Sequence, residues 1–157
     1  MPVKLNYLQA NSEAVKLLMQ IEIHLKNQVK QANLDITLIE LIKMRASQIN
    51  QCAYCLDMHS KDSRAQGETE QRLYTLSAWR QTEFFTPQEQ AVLAWTEALT
   101  QLEHGPQVDQ LRAQMQLYFS DKQIVDITLA ICTINSWNRF VAAFGAEVGS
   151  YQVGQYN

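Results

Sequence analysis

Residues that interrupt helices are scarce in this chain. Its 157 residues include only 5 glycines and 3 prolines, and no alternating apolar and polar run is bounded by turn residues, so a sheet has little support. A basic excess is also missing: 13 Lys and Arg stand against 16 Asp and Glu, for a net charge of −3. Their scattered placement leaves no electrostatic footprint for nucleic acid or an anionic membrane. No stretch approaches the roughly 18 apolar residues of a membrane span, and the start, Met1 to Tyr7, has no apolar signal core. These absences predict a soluble, cytoplasmic protein that meets a small substrate or a protein partner. There are 3 cysteines, too few for a secreted disulfide framework, and two of them share one C-x-x-C. In a reducing compartment such a pair is redox-active or binds metal. The length suits one domain over residues 1–157, large enough to bury roughly two thirds of its unfolded surface without disulfide or metal support.

Helical periodicity recurs from end to end, which predicts an all-α, single-domain bundle of about six to seven helices. The first begins after Asn11 or Ser12, with Ala14, Leu18, Ile21, Leu25 and Val29 as its apolar stripe; His24, beside that stripe, is given no role. A second runs from Asp35 to about Gln48 and carries Glu40 in the middle of the apolar positions Ile36, Ile39, Ile42 and Met44. Asn50-Gln51 interrupts the pattern, and a third helix runs from about Cys52 to Gln66 and stops at Gly67, a natural C′ residue. Thr86-Pro87-Gln88-Glu89 is a capping box with proline at the first helical position. It opens a helix that buries Ala91, Trp95, Ala98 and Leu102 and ends near Gly105. A segment from Val108 to Phe119 leads to a second capping box, Ser120-Asp121-Lys122-Gln123. Beyond it Ile124 to Phe144 is apolar on nearly every face, which predicts a buried C-terminal helix whose Asp126, Asn135, Asn138 and Arg139 must be paired.

Chemistry concentrates in Cys52-Ala-Tyr-Cys55-Leu-Asp-Met-His59. Offsets of 0, 3 and 7 place two thiols and an imidazole on one helix face. A thiol reacts as thiolate, which a helix N-terminus and a neighbouring histidine both favour, so the motif predicts a reactive dithiol. If the helices flanking Asn50-Gln51 fold back on one another, Glu40 and His59 both lie about 12–15 Å from the turn, on neighbouring rungs. The column then reads Cys52, Cys55, His59 with Glu40 opposite, the pattern of an activated nucleophile whose carboxylate orients the imidazole.

Other readings compete. The cysteines can be a pair of buried, inert thiols. Zinc can take Cys52, Cys55, His59 and Glu40, although ligands on one helix converge poorly on a tetrahedral ion. Glu40 can be a surface carboxylate paired with Lys43 or Lys30. His104, before Gly105, suits the orphan carbonyls of a helix end; Cys132, within the apolar segment, suits the core. Trp79, Trp95 and Trp137 suit the core or a subunit interface, and Arg139 an anionic substrate or a pairing with Asp126 or a glutamate.

Taken together, Glu40-Leu41, Arg45 to Asn50, and Cys52 to His59 resemble the core of the AhpD-like alkylhydroperoxidases within the carboxymuconolactone decarboxylase family. The likeness runs from about Leu38 to Leu99, through Trp79-Arg80, Phe85-Thr86-Pro87 and Ala94 to Ala98, and returns at Asn135 to Arg139. It implies an all-α homo-oligomer in which Glu40, Cys52, Cys55 and His59 form a proton relay and a redox dithiol that reduces small hydroperoxides. In that scheme Cys55 takes the peroxide oxygen as a sulfenic acid, Cys52 resolves it as a disulfide, and a thiol reductant or reductase protein resets the pair. No metal or cofactor is called for, and without a G-x-G-x-x-G loop the electrons are expected by thiol exchange rather than from a bound dinucleotide. The chain departs from the family at Tyr54, where peroxide-reducing members often have a second histidine, and at Gln51, where glycine is common. A phenol with an ordinary pKa of about 10 is no base near neutral pH. Two rival functions remain: a non-enzymatic redox-sensing oligomer, and cofactor-free decarboxylation of a lactone acid, which does not generally need the dithiol.

Overall fold

Capping chemistry sets the helix boundaries in the computed structural model, which describes residues 3–31 and 34–156. Met1, Pro2, Ala32, Asn33 and Asn157 lie outside these; the first two belong to the stretch read above for a signal core. The described chain is all-helical: α1 (Tyr7–Ala10), α2 (Ser12–Gln31), α3 (Ile36–Ile49), α4 (Ala53–Ala65), α5 (Glu70–Thr75), a 3-10 segment (Leu76–Gln81), α6 (Pro87–Thr100), α7 (Pro106–Gln116) and α8 (Asp121–Phe144). Both capping boxes form. The Glu89 N–H donates to Thr86 Oγ1 at 3.2 Å while Thr86 N–H donates to Glu89 Oε2 at 2.8 Å, and Ser120 with Gln123 repeats the exchange at the start of α8. Among the described residues, no helix is long and apolar enough to cross a membrane.

Three helix ends share one closure, and it shapes the site. After α4, Gly67 at φ 96° sends its N–H to Arg64 O and Glu68 N–H reaches Ser63 O, the paired bonds of a Schellman motif with glycine in the left-handed position. After α3 the same bonds run from Gln51 to Gln48 O and from Cys52 to Ser47 O, with Gln51 at φ 54°. Cys52 thus completes the end of α3 and is also the N-cap of α4, so the dithiol is set by a turn with no spare residue. The third closure corrects an expectation. α6 ends at Thr100 rather than near Gly105, because Leu102 (φ 55°) adopts the left-handed position and Glu103 N–H bonds Ala98 O. Leu102 is therefore 66% exposed instead of buried. His104 stands exposed beyond that last turn, and Gly105 caps α7.

α3 lies at the centre, packed on α4, α6 and α8. Leu38 through Met44 are all buried, so this helix has no solvent face, and burial of a side chain such as Ile42 contributes about 1.5–3 kcal/mol. One side meets Val92, Met115, Ile127 and Ile131; the other meets Leu73, Leu76, Trp79, Phe85 and Leu93. On α2 the stripe is rotated by one residue at its start: Val15 is buried and Ala14 exposed.

α8 is buried along one broad face only. Val125, Cys132 and Arg139, spaced by seven, form an outward line, so Cys132 is an exposed free thiol, not a core one. An apolar run hides such a face, since nothing in its composition marks which side meets water. The polar groups of α8 are paired, as its burial demands. Asp126 accepts from Lys122 at 2.9 Å and lies 3.7 Å from His24, while Arg139 donates to Asn135 O at 2.8 Å and not to Asp126 or a glutamate. Trp79 and Trp95 are buried, and the half-buried Trp137 donates to Glu22 at 3.1 Å.

Candidate redox site

α3 and α4 fold back as a hairpin, and this brings Glu40 against His59: Glu40 Oε2 is 2.9 Å from His59 Nδ1. Both are buried. Cys52 and Cys55 are joined as a disulfide with Cα atoms 5.3 Å apart, and Cys55 lies one turn before His59 on the same face. All four predicted site residues therefore fall in one column. The reading of Glu40 as a surface carboxylate is overturned, because α3 has no outer surface at that point. Lys43 does not take Glu40 as its hydrogen-bond partner; its Nζ donates to Glu22 Oε2 on α2 at 2.9 Å.

Electrostatics keep Glu40 ionised. Burial pushes its carboxyl up, but the charge and hydrogen bond of His59, helped by Lys43 and Lys26, outweigh that and leave it below its ordinary value. Burial likewise pulls Lys43 down, yet Glu22 and Glu40 more than compensate and raise it. With the two sulfurs joined as a disulfide, the potential metal donors gathered within 4.8 Å of one another among the described residues are Glu40, His59 and Asp62.

Asp62 was missed by sequence reading, although its place three residues after His59 puts it on the same helix face. Tyr151 Oη donates to both Asp62 oxygens, at 2.8 and 3.0 Å. Burial and the nearby Glu40 raise the Asp62 carboxyl against the lowering effect of that bond, while burial and Asp62 push the phenol of Tyr151 up to about 12. Nothing local in the sequence links Tyr151 to α4. The C-terminal segment reaches the helix through Lys61, which bonds Asp57 at 2.9 Å and Tyr151 O at 3.1 Å. Gly149 N–H adds a bond to Asp57 at 3.1 Å.

A polar network fixes the turn above the disulfide. Asn50 Nδ2 donates to Asn135 Oδ1 at 2.9 Å and Asn138 Oδ1 at 2.8 Å, and Asn138 donates to Ser47 Oγ at 3.1 Å. Beside it lies a cleft of about 160 Å³ whose walls include Cys52, Tyr54, Asn138, Val141, Ala146 and Val148, and not Cys55. The Tyr54 hydroxyl is 3.1 Å from that of Tyr156; burial and this contact raise it further, so it stays protonated and serves as wall rather than base.

The chain resembles known proteins in both sequence and fold. Residues 16–98 match the model of the carboxymuconolactone decarboxylase family. The chain is 39% identical to YdfG of Bacillus subtilis, an uncharacterised protein, over 150 residues that cover 96% of this chain and 99% of that one. A solved structure from Agrobacterium tumefaciens, of unknown function and proposed to be the antioxidant defence protein AhpD, is also 39% identical. It superposes with a TM-score of 0.85 over 96% of this chain and 100% of its own. An uncharacterised peroxidase-related protein with an alkylhydroperoxidase AhpD core, from Ralstonia eutropha, shares the fold at 17% identity and a TM-score of 0.76, over 91% of this chain and 74% of its own.

Proposed function

The chain belongs to the AhpD-like carboxymuconolactone decarboxylase family, and from that premise we propose that it is a thiol-dependent peroxidase that reduces small hydroperoxides through a Cys52/Cys55 dithiol cycle. The observation that carries this reading is the buried Glu40–His59 pair one turn beyond a C-x-x-C that closes as a disulfide.

In the reduced state the Cys55 thiol gives its proton to His59, whose other ring nitrogen is held by Glu40. The thiolate then attacks the distal oxygen of ROOH. The O–O bond breaks, Cys55 becomes a sulfenic acid, and the alkoxide takes the proton and leaves as ROH. Cys52 attacks the sulfenic sulfur, water departs, and the disulfide forms. The protein has then lost two electrons, which a thiol reductant or reductase protein restores. Glu40 does not donate or accept the transferred proton in this scheme; it sets the orientation and tautomer of the imidazole.

The same reading places the protein in a reducing compartment, the cytoplasm, and in an assembly of identical copies. Val125 and Cys132 on the outward line of α8 are the kind of surface a second copy covers, which light scattering tests directly.

One equivalent of an organic hydroperoxide added to fully reduced protein is the decisive experiment, followed by intact mass and peptide mapping. Rapid loss of two hydrogens, located to Cys52 and Cys55 and abolished in Cys55→Ser, is the expected result. Two free thiols after prolonged exposure would overturn the proposal.

A further inference from the structure

The two sulfurs of the disulfide face different surroundings. Cys52 Sγ belongs to the residue that caps α4 and lines the 160 Å³ cleft. Both cysteines are buried and belong to one apolar cluster with Ala46, Ile134 and Val141, but Cys55 does not line the cleft; its neighbour one turn on is His59. The oxidised state is the one that meets the reductant, and the cleft lies beside the closed disulfide. We propose that the cleft is a thiol-binding site, that the reductant's thiolate attacks Cys52 there, and that the group bearing this thiol is compact and uncharged. The inference rests on the dithiol cycle proposed above and adds its direction.

Access and leaving-group stability both select Cys52. In thiol–disulfide exchange the incoming thiolate approaches along the S–S axis, from behind the sulfur it attacks. The cleft borders Cys52 and not Cys55. The leaving sulfur matters as well, because the thiol that more readily bears a negative charge departs faster. Both sulfurs are near the N-terminus of α4, so the helix dipole does little to separate them. His59 does separate them, since only Cys55 has the imidazole one turn away on its own face. The Cys52–Cys55 bond therefore breaks with its electron pair on Cys55, which takes a proton, while a new bond joins the reductant's sulfur to Cys52. A second thiol, on the same reductant or another molecule, then attacks the reductant's sulfur in this mixed disulfide. Cys52 is released as a thiol and the reductant leaves as a disulfide, two electrons poorer.

The walls identify the ligand class. Ala53, Val141, Ala142, Ala146 and Val148 are apolar, the polar end is amide and phenol, and no lining residue is charged. Volume sets the size: a cavity of about 150 Å³ accommodates a benzene-sized body. A thiol bearing carboxylates would lose hydration on entry with no cation in the wall to replace it.

The test uses oxidised protein and no peroxide, so its failure is separable from failure of the peroxidase reading. 2-Mercaptoethanol is added, the reaction is stopped with acid at early times, free thiols are blocked with N-ethylmaleimide, and fragmentation of the Cys52–Cys55 peptide locates both labels. The expected product carries mercaptoethanol on Cys52 and the maleimide on Cys55, in about tenfold excess over the reverse. Mercaptoethanol on Cys55, or equal labelling, would overturn the direction of attack. Replacing the probe with 3-mercaptopropionate at equal thiolate concentration should slow the exchange severalfold, and equal rates would overturn the assignment of an uncharged ligand. Ala142→Trp, which fills the cleft from an exposed position, should slow 2-mercaptoethanol by about tenfold in a protein that melts like the parent; an unchanged rate would show that the cleft is not the approach.

Discussion

Two buried carboxylates, Glu40 and Glu97, are held in opposite ways. Glu97 on α6 accepts from Arg45 Nε at 2.7 Å, from Trp79 Nε1 at 2.9 Å and from Arg80. Burial pushes its carboxyl up, but the bonds from Trp79, Arg80 and Arg45 prevail and leave it low. Glu40 is lowered against the same opposing burial by His59, a hydrogen-bond partner that can change its charge. A guanidinium keeps its proton throughout the physiological range, whereas an imidazole does not. One device, a buried anion stabilised beyond its desolvation cost, therefore serves as a fixed joint between α3, α6 and the 3-10 segment at Glu97. At Glu40 it serves a proton-bearing group beside a sulfur.

Substitution should act most strongly at the joint. Glu97→Ala leaves the half-buried Arg45 and the buried Trp79 indole without their carboxylate, which should cost about 1.5–3 kcal/mol in urea unfolding. A loss under 1 kcal/mol would remove the contrast. Glu40→Gln should do the reverse. It keeps an acceptor for the imidazole and leaves Lys43 paired with Glu22, so the fold should persist while hydroperoxide oxidises Cys55 about a hundredfold more slowly. Stopped-flow oxidation and a melting curve, run on the same sample, separate the two effects.

Acid acts on both carboxyls. Both carboxyls lie below their ordinary values in the folded chain, so the stability each contributes is complete above the unfolded pKa of about 4.3 and is lost as pH falls through the lower folded value. Urea midpoints should therefore drop below about pH 4, less steeply in Glu97→Gln and in Glu40→Gln than in the parent. Lys43 has the opposite sign: its raised value contributes below about pH 10.4 and is lost as pH rises through the folded value.

The smallest effect expected is at the turn. Gln51→Gly replaces a side chain in the left-handed region with the residue suited to it. The gain is about 1 kcal/mol at most, reduced by glycine's greater freedom in the unfolded state. A loss of stability would mean that the Gln51 side chain contributes more than the strain it imposes.

Much of this protein was legible in its sequence because the relevant interactions are local. The capping boxes at Thr86 and Ser120, the stop at Gly67, and the Cys52, Cys55, His59 column all depend on residues within about two turns of one another, where helix geometry converts spacing into position. Even the meeting of Glu40 with His59 needs only a hairpin and equal distances from its turn. Where sequence and structure part, the cause is equally physical. The exposure of Leu102 is hidden because a left-handed closure without glycine leaves no compositional mark, and that of Cys132 because an apolar run does not say which side faces water.

Tertiary structure alone decided the rest. Tyr151 meets Asp62 across 89 residues and Asn50 meets Asn138 across 88, and pairing over such distances is set by how helices pack, not by the pattern along either one. The same is true of the cleft, which Cys52 lines and Cys55 does not. Periodicity put both thiols on one face of one helix, but which sulfur a reagent can reach depends on α8 and the C-terminal segment that form the other walls.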